Sequence, residues 1–323
     1  MSRSKRWMIM GLWLALTPAV ARAQDAQVTQ EAFKAAQPET HVQSEREIDI
    51  MHHLANSHVI ELPYWKAPYT KEFELPTFPP IHLGSLVIDL SPTKHAVFLV
   101  LAAFVVALVF IPAGRAVQRA QARGEPPRGF ANAMEATALY IRQEVILPNV
   151  GHHGEGYVPY LLTVFFFILA CNLFGLVPWG ATATGNIAVT GGMALLSFVV
   201  IEISGMRALG FKGYLGTIFF LPPGLPTLMK PIILIIMTPI ELIGKLAKPF
   251  ALAVRLFANM TAGHALVLAL IGLTFTFQSY WVGAGASVMA TAIMLLEVFV
   301  AFLQAFVFTL LTAVFIGLMR EAH

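Results

Sequence analysis

Apolar residues gather into five long blocks, and the polar residues fall mainly in the stretches that join them. The blocks cover residues 93–114, 157–177, 186–206, 231–274 and 286–319. Eighteen or more apolar residues in succession is the pattern of a helix crossing a bilayer, because only backbone that satisfies its own hydrogen bonds is stable in hydrocarbon. The pattern predicts an all-α membrane protein with about five transmembrane helices. The first three blocks have ordinary span lengths. The last two hold roughly 44 and 34 residues, about 65 Å and 50 Å of helix, against a hydrocarbon core of about 30 Å. Either each holds more than one element or both helices are steeply tilted, with Pro239 and Pro249 permitting kinks. The short aromatic stretch at 277–283 suits an antiparallel hairpin turning at an outer interface.

Charge placement adds a topology. Arg115, Arg119, Arg123 and Arg128 follow the first span and mark the cytoplasmic side, while Gly124, Pro126 and Pro127 end that helix. Arg207 and Lys212 put the end of the third span on the same side, with Glu202 as an interfacial residue near Arg207 and residues 207–230 as a cytoplasmic loop. Residues 130–147 mix Glu135, Arg142 and Glu144 with apolar residues at helical period. They predict an amphipathic helix on the cytoplasmic face, or else a soluble helical hairpin arm. At the amino end, Arg3, Lys5 and Arg6, an apolar run and Ala21, Arg22 and Ala23 follow the order of a signal peptide over 1–23, an uncleaved anchor being the alternative. Residues 24–90 then form an extracytoplasmic segment interrupted by Pro63, Pro68, Pro76, Pro79 and Pro80, with a short amphipathic helix expected within 45–58. Residues 91–323 are the membrane-embedded domain. Counting five spans from an external amino terminus leaves the carboxyl terminus in the cytoplasm, in agreement with Arg320.

Composition agrees with the pattern: 57% of residues are hydrophobic and only 12% charged, about half the charge of a soluble domain. The net charge of +3 does not point to nucleic acid, because the basic residues sit beside apolar runs as topology signals. Cys171 is the one cysteine, so no intramolecular disulfide is available. His52, His53 and His58 do not share a helix face, and His152 and His153 flank a span, so no metal site is expected and no cofactor is implied.

The residues that carry chemistry lie in the last two blocks. An arginine within an apolar segment is costly and cannot escape by losing its proton, so Arg255 is a functional candidate. Glu241, Lys245, Lys248, Arg255 and Asn259 follow one another at steps of 4, 3, 7 and 4, which places them on one helix face. His264 is nine residues past Arg255 and faces away from it, while Glu297 and Gln304 share a face seven residues apart. A hairpin turning near residue 280 brings His264 level with Glu297 and Arg255 level with Gln304. A histidine beside a carboxylate can relay protons, whereas arginine can act only by its charge, holding a passing carboxylate ionised. No unpaired carboxylate of this chain lies at the depth of Arg255, which predicts a partner on another subunit. The bland alternatives are that Arg255 snorkels to an interface, that His264 and Glu297 are a structural pair, and that Asn172 bonds a neighbouring helix rather than lining a water path. A self-contained transporter is the other functional class, but neither inverted repeats nor broken helices are legible.

Three stretches resemble subunit a of bacterial F-type ATP synthases, the stator channel beside the rotating ring of subunit c. They are KPFALAVRLFANMTAGH at 248–264, LQAFVFTLLT at 303–312 and, more weakly, NLFGLVP at 172–178. The resemblance covers about 91–323 and implies a proton-conducting stator that is not itself an enzyme. It implies two offset half-channels that load and unload the carboxylates of the ring, with Arg255 as the essential arginine between them. Asn259 and Gln304 match its polar companions, and His264 with Glu297 matches the interacting pair of one half-channel, a pair found in either order among members. Asn172 matches an outer half-channel position, Gly175 stands where some relatives have an acid, and Glu241 matches a position at the cytoplasmic exit. Implied partners are the subunit c ring, subunit b of the peripheral stalk, the remaining ATP synthase subunits and the lipid bilayer of a bacterial inner membrane. Residues 1–90 lie outside the common pattern.

Overall fold

The computed structural model describes residues 57–63, 70–79, 81–83, 86–88, 91–151, 154–177, 180–219, 226 and 229–320. The expected signal peptide and all but Ser57 and His58 of the helix expected at 45–58 lie outside them. His52, His53, His152 and His153 lie outside them as well. Every element below belongs to the unit Ile48–His323.

Two short hairpins precede the helices. β1 (Val59–Pro63) pairs antiparallel with β2 (Thr70–Glu74), and β3 (Ile81–Leu83) with β4 (Leu86–Ile88). The hairpins are an addition to the expected irregular segment; prolines stop long helices but leave room for strands this short. Ser57 and His58 tie this region to the first long helix. The Lys94 amide donates to the Ser57 carbonyl (2.9 Å), and His58 Nδ1 donates to that of Pro92 (3.1 Å).

Among the described residues, five helices are long and apolar enough to cross a membrane. α1 (Lys94–Ala122) starts at Thr93, whose hydroxyl caps the Ala96 amide, and ends before Gly124, whose φ of +67° favours glycine. α2 (Phe130–Tyr140) continues through a π-helical turn (Ile141–Ile146) into α3 (Leu147–Val150). This segment is amphipathic as expected. Ile141, Val145, Ile146 and Val150 are buried, while Gln143 and Glu144 are exposed. α4 (Val158–Gly175) has Leu161, Phe165 and Ile168 in the core, and α7 (Tyr280–Arg320) supplies Phe308 and Ile316. Between α4 and α5 (Ile187–Ile218), a buried 3-10 turn (Ala183–Gly185) closes one end of the bundle. At the opposite end Arg320 donates to the Val150 carbonyl and lies over the Tyr157 ring.

α6 (Lys230–Phe277) and α7 are single helices of 48 and 41 residues. Pro239 and Pro249 interrupt neither chain direction nor helix, so the alternative of several elements per block falls. At 1.5 Å per residue they reach about 70 Å and 60 Å. Ala301, Ala305, Ala313 and Gly317 are buried in α7, and small residues at such positions let helices approach closely.

Two expectations are corrected around α5. Residues 207–230 are not wholly a loop, because the helix resumes after a break at Gly210 (φ +71°) and runs to Ile218. This return segment carries Tyr214 and Thr217 against α6. Glu202 accordingly accepts from Tyr214 Oη at 2.6 Å and pairs with Lys245 Nζ at 3.7 Å, rather than with Arg207. Lys245 also donates to Thr217 Oγ1 (2.9 Å) and lies over the Tyr214 ring. It is therefore turned inward and leaves the face it was expected to share with Arg255. Its place at the edge of the buried stripe of α6 allows either direction, and the carboxylate across the α5–α6 seam decides it.

Both charges are buried, with side chains 6% and 11% exposed, so removing one leaves the other without compensation. Glu202→Gln is expected to cost about 3 kcal/mol and to lower the melting temperature of the detergent-extracted protein. Glu202→Leu with Lys245→Met should recover most of the loss, and a single variant as stable as the parent would rule out a stabilising pair.

Candidate functional site

The inward stripe of α6 is Lys245, Leu252, Ala253, Leu256, Met260 and Val267, all buried. Successive turns of the helix bring these positions, mostly at spacings of three, four or seven residues, onto one face that packs on α5 and α7. Arg255 falls off the stripe and is exposed, together with Ala251, Ala258, Asn259 and Ala262. Among the described residues no carboxylate pairs with Arg255. The small alanines leave its guanidinium on an open face that another helix can approach closely.

Asn259 and Gln304 meet across the α6–α7 seam, Asn259 Nδ2 donating to Gln304 Oε1 at 3.1 Å. Gln304 is buried, and its Nε2 has no hydrogen-bond partner among the described residues. The hairpin arithmetic expects Arg255 at this level. The structure instead joins Gln304 to Asn259, one turn nearer the hairpin turn, and leaves Arg255 outside the seam.

His264 points the other way and, with Glu297, lines one small cavity whose wall also includes Asn172, Gly175, Thr182 and Met260. The cavity leaves about 10 Å³ for the centre of a water molecule, so it has room for about one. Glu297 reaches it by lying over Gly263, where an added Cβ would collide with Oε1. That oxygen is buried and has no hydrogen-bond partner among the described residues. Here the hairpin arithmetic agrees with the structure.

Asn172 is fully buried and bonds neighbouring elements, as one of the two readings expected. Its Nδ2 donates to the Ala301 carbonyl (3.3 Å) and its Oδ1 accepts from Thr184 Oγ1 (2.7 Å), so it ties α4 to α7 and to the 3-10 turn while lining the cavity. Gly175 is explained by the same turn, because a Cβ there would collide with the side chain of Thr182. A carboxylate at position 175 would displace Thr182.

Glu241 lies on α6, 14 residues before Arg255 and about 21 Å along the axis. It is partly exposed, and Lys245, one turn on, is engaged by Glu202 instead. The helix thus carries the inward-facing His264 on one side of Arg255 and, on the other, Glu241, which has no ion-pair partner among the described residues.

Lys94 and His95 read in the sequence only as polar flanks of a span. In the structure both are buried, 8% and 4% exposed, and both line a second cavity with Thr182, Met260 and His264. Thr93 as helix cap was the available signal, since it starts α1 one turn before the apolar run and carries the next two residues into the bundle.

The family model described as ATP synthase A chain matches residues 96–317. ATP synthase subunit a of Chloroherpeton thalassium is 43% identical over 279 residues, covering 85% of this chain and 77% of the relative. ATP synthase subunit a 2 of Chlorobium luteolum is 45% identical over 294 residues, covering 89% and 80%. ATP synthase subunit a of Anaeromyxobacter dehalogenans is 43% identical over 274 residues, covering 83% and 69%.

The contact between Gly175 and Thr182 gives a direct check of the cavity wall. Gly175→Ala should destabilise the extracted protein by about 1–3 kcal/mol through overpacking, and Thr182→Gly in the same chain should restore part of it. Equal melting temperatures for Gly175→Ala and the parent would show that the turn is not packed as described.

Proposed function

This chain belongs to the family of ATP synthase A chains, and from that premise we propose that it conducts protons through two offset half-channels that serve the carboxylates of a subunit c ring, with Arg255 between them. Membership makes it a non-catalytic, multi-pass membrane subunit of a rotary ATP synthase, working in proton transport and ATP synthesis. The observation that carries the proposal is the exposed Arg255, which has no carboxylate partner among the described residues. A permanent cation on an apolar face requires an anion from elsewhere. Carboxylates moving past on a rotor supply one at each step, and the alanines at 251, 258 and 262 permit their approach.

Protons enter from outside by way of His264 and Glu297 and neutralise a ring carboxylate, which is then able to face lipid. After the ring has turned, the carboxylate returns to the other side of Arg255 and releases its proton near Glu241. Asn259 and Gln304 hold the α6–α7 seam beside the arginine. Arg255 favours the ionised carboxylate and repels a proton moving straight from one path to the other. Each charge crossing the membrane yields about 2.3 kcal/mol per 100 mV, so several protons must act together for each ATP. The long hairpin of α6 and α7 lies tilted in the membrane and follows the curved flank of the ring, since neither helix fits upright in about 30 Å of hydrocarbon. Arg115, Arg119, Arg123 and Arg320 lie at the carboxyl ends of α1 and α7. Their position supports a cytoplasmic location for that end of the bundle and, after signal cleavage, an external amino terminus. Subunit b of the peripheral stalk and the remaining synthase subunits are the other partners.

Arg255→Ala in the assembled complex is expected to abolish ATP-driven proton pumping into vesicles. Pumping at a near-normal rate would remove the arginine from the mechanism. The double change His264→Glu with Glu297→His should retain more pumping than either single change, because the pair works as a unit. Equal loss in all three variants would argue against coupling between the two side chains.

A further inference from the structure

The two small cavities are consecutive. One is lined by Lys94, His95, Thr182, Met260 and His264, the other by Asn172, Thr182, Met260, His264 and Glu297. Thr182, Met260 and His264 belong to both, so a histidine at the start of α1 and the carboxylate of α7 are joined through walls they share. The first leaves about 20 Å³ for the centre of a water molecule, enough for about one or two waters. The His264 and Glu297 inlet therefore does not begin at His264.

From this geometry we propose that His95 is an additional proton-relay residue, the first titratable group of the inlet, which passes protons through the Thr182-lined cavity to His264. The proposal rests on the reading of His264 and Glu297 as the inlet and extends it by one residue that the reading does not contain. His95 is held for the task by its contact with the Thr182 carbonyl at 3.1 Å. A carbonyl only accepts, so Nδ1 carries the hydrogen and Nε2 is the nitrogen left to bind a proton. The step is proton transfer alone: the buried Nε2 takes a proton from a water in the first cavity, becoming imidazolium, and returns it to cavity water from which His264 is protonated. No other bond changes.

The charged and titratable groups around this path are few. α1 contributes Lys94 and His95, α6 contributes His264, and α7 contributes Glu297 through the adjoining cavity; α4 and residues 180–185 contribute none to the lining. Lys94 lines the same cavity as His95. Glu297, at the far end, provides the attraction inward. Thr182 sets the geometry twice over, fixing His95 by its carbonyl and occupying the space beside Gly175 with its side chain.

The test uses the complete synthase in vesicles, with ATP synthesis driven by an imposed proton gradient and membrane potential and measured against the pH on the outer side of the protein. His95→Gln keeps an amide donor for the Thr182 carbonyl but cannot carry a proton. It should slow synthesis about tenfold at an outer pH of about 8, where protons are scarce, and restore near-parental rates at about pH 5.5, where the relay is bypassed by mass action. An unchanged rate at every pH, or the same proportional loss at every pH, overturns the proposal, the latter because it marks a structural defect. His95→Asn is read in the same way, and failure of both amide variants to assemble would make His95 structural and equally overturn it. His264→Ala, run beside them, separates the two levels of the argument. If it transports normally, the inlet reading itself is wrong; if it fails while His95→Gln matches the parent, only the relay through His95 is wrong.

Discussion

A guanidinium does not shed its proton at any pH a cell experiences, so a helix that carries one through an apolar region must have a counter-charge somewhere. Arg255 has none among the described residues of its own chain. Other features of the structure bear on that constraint. The inward stripe of α6 ends its polar content with Lys245, which is answered by Glu202, and the seam with α7 is closed by Asn259 and Gln304. Both interactions draw potential partners away from Arg255. What remains around it on the open face is alanine.

The same helix supports the proposed separation of two proton paths. His264 lies nine residues beyond Arg255 and about half a turn around the axis, so it opens into the bundle while Arg255 opens outward. Glu241 lies 14 residues before it. In the proposed mechanism a proton passes between the two regions by leaving on a carboxylate that moves along the outer face. One long continuous helix is well suited to hold such positions at fixed separations, and neither proline breaks it.

Much of the frame was legible because bilayer physics leaves few choices. The five spans, the amphipathic segment packed against α7, and the meeting of His264 with Glu297 follow from apolar block length, charge position and helical period. Asn172 was legible as a residue that bonds neighbouring helices. Features that depend on which neighbour wins were not. Lys245 lies at the edge of two faces, and only the presence of Glu202 across the seam turns it inward. Glu202 in turn has Arg207 nearby in sequence, but the break at Gly210 folds Tyr214 and Thr217 back toward α6 and creates a different environment. The hairpins between Val59 and Ile88 are too short for periodicity to announce. His95 looked like a polar flank because one sequence does not reveal that the turn at Thr182 returns over the end of α1.

Site-directed cross-linking tests most directly that the Arg255 face, and not the Leu256 face, meets the ring. In a Cys171→Ser background, single cysteines at Ala258 and Ala262 on the open face and at Leu252 and Leu256 on the buried stripe are each oxidised against a cysteine placed one turn from the ring carboxylate. The account predicts disulfide cross-links from Ala258 and Ala262 and none from Leu252 or Leu256. Cross-links of equal yield from both faces, or from the leucine positions alone, would contradict it.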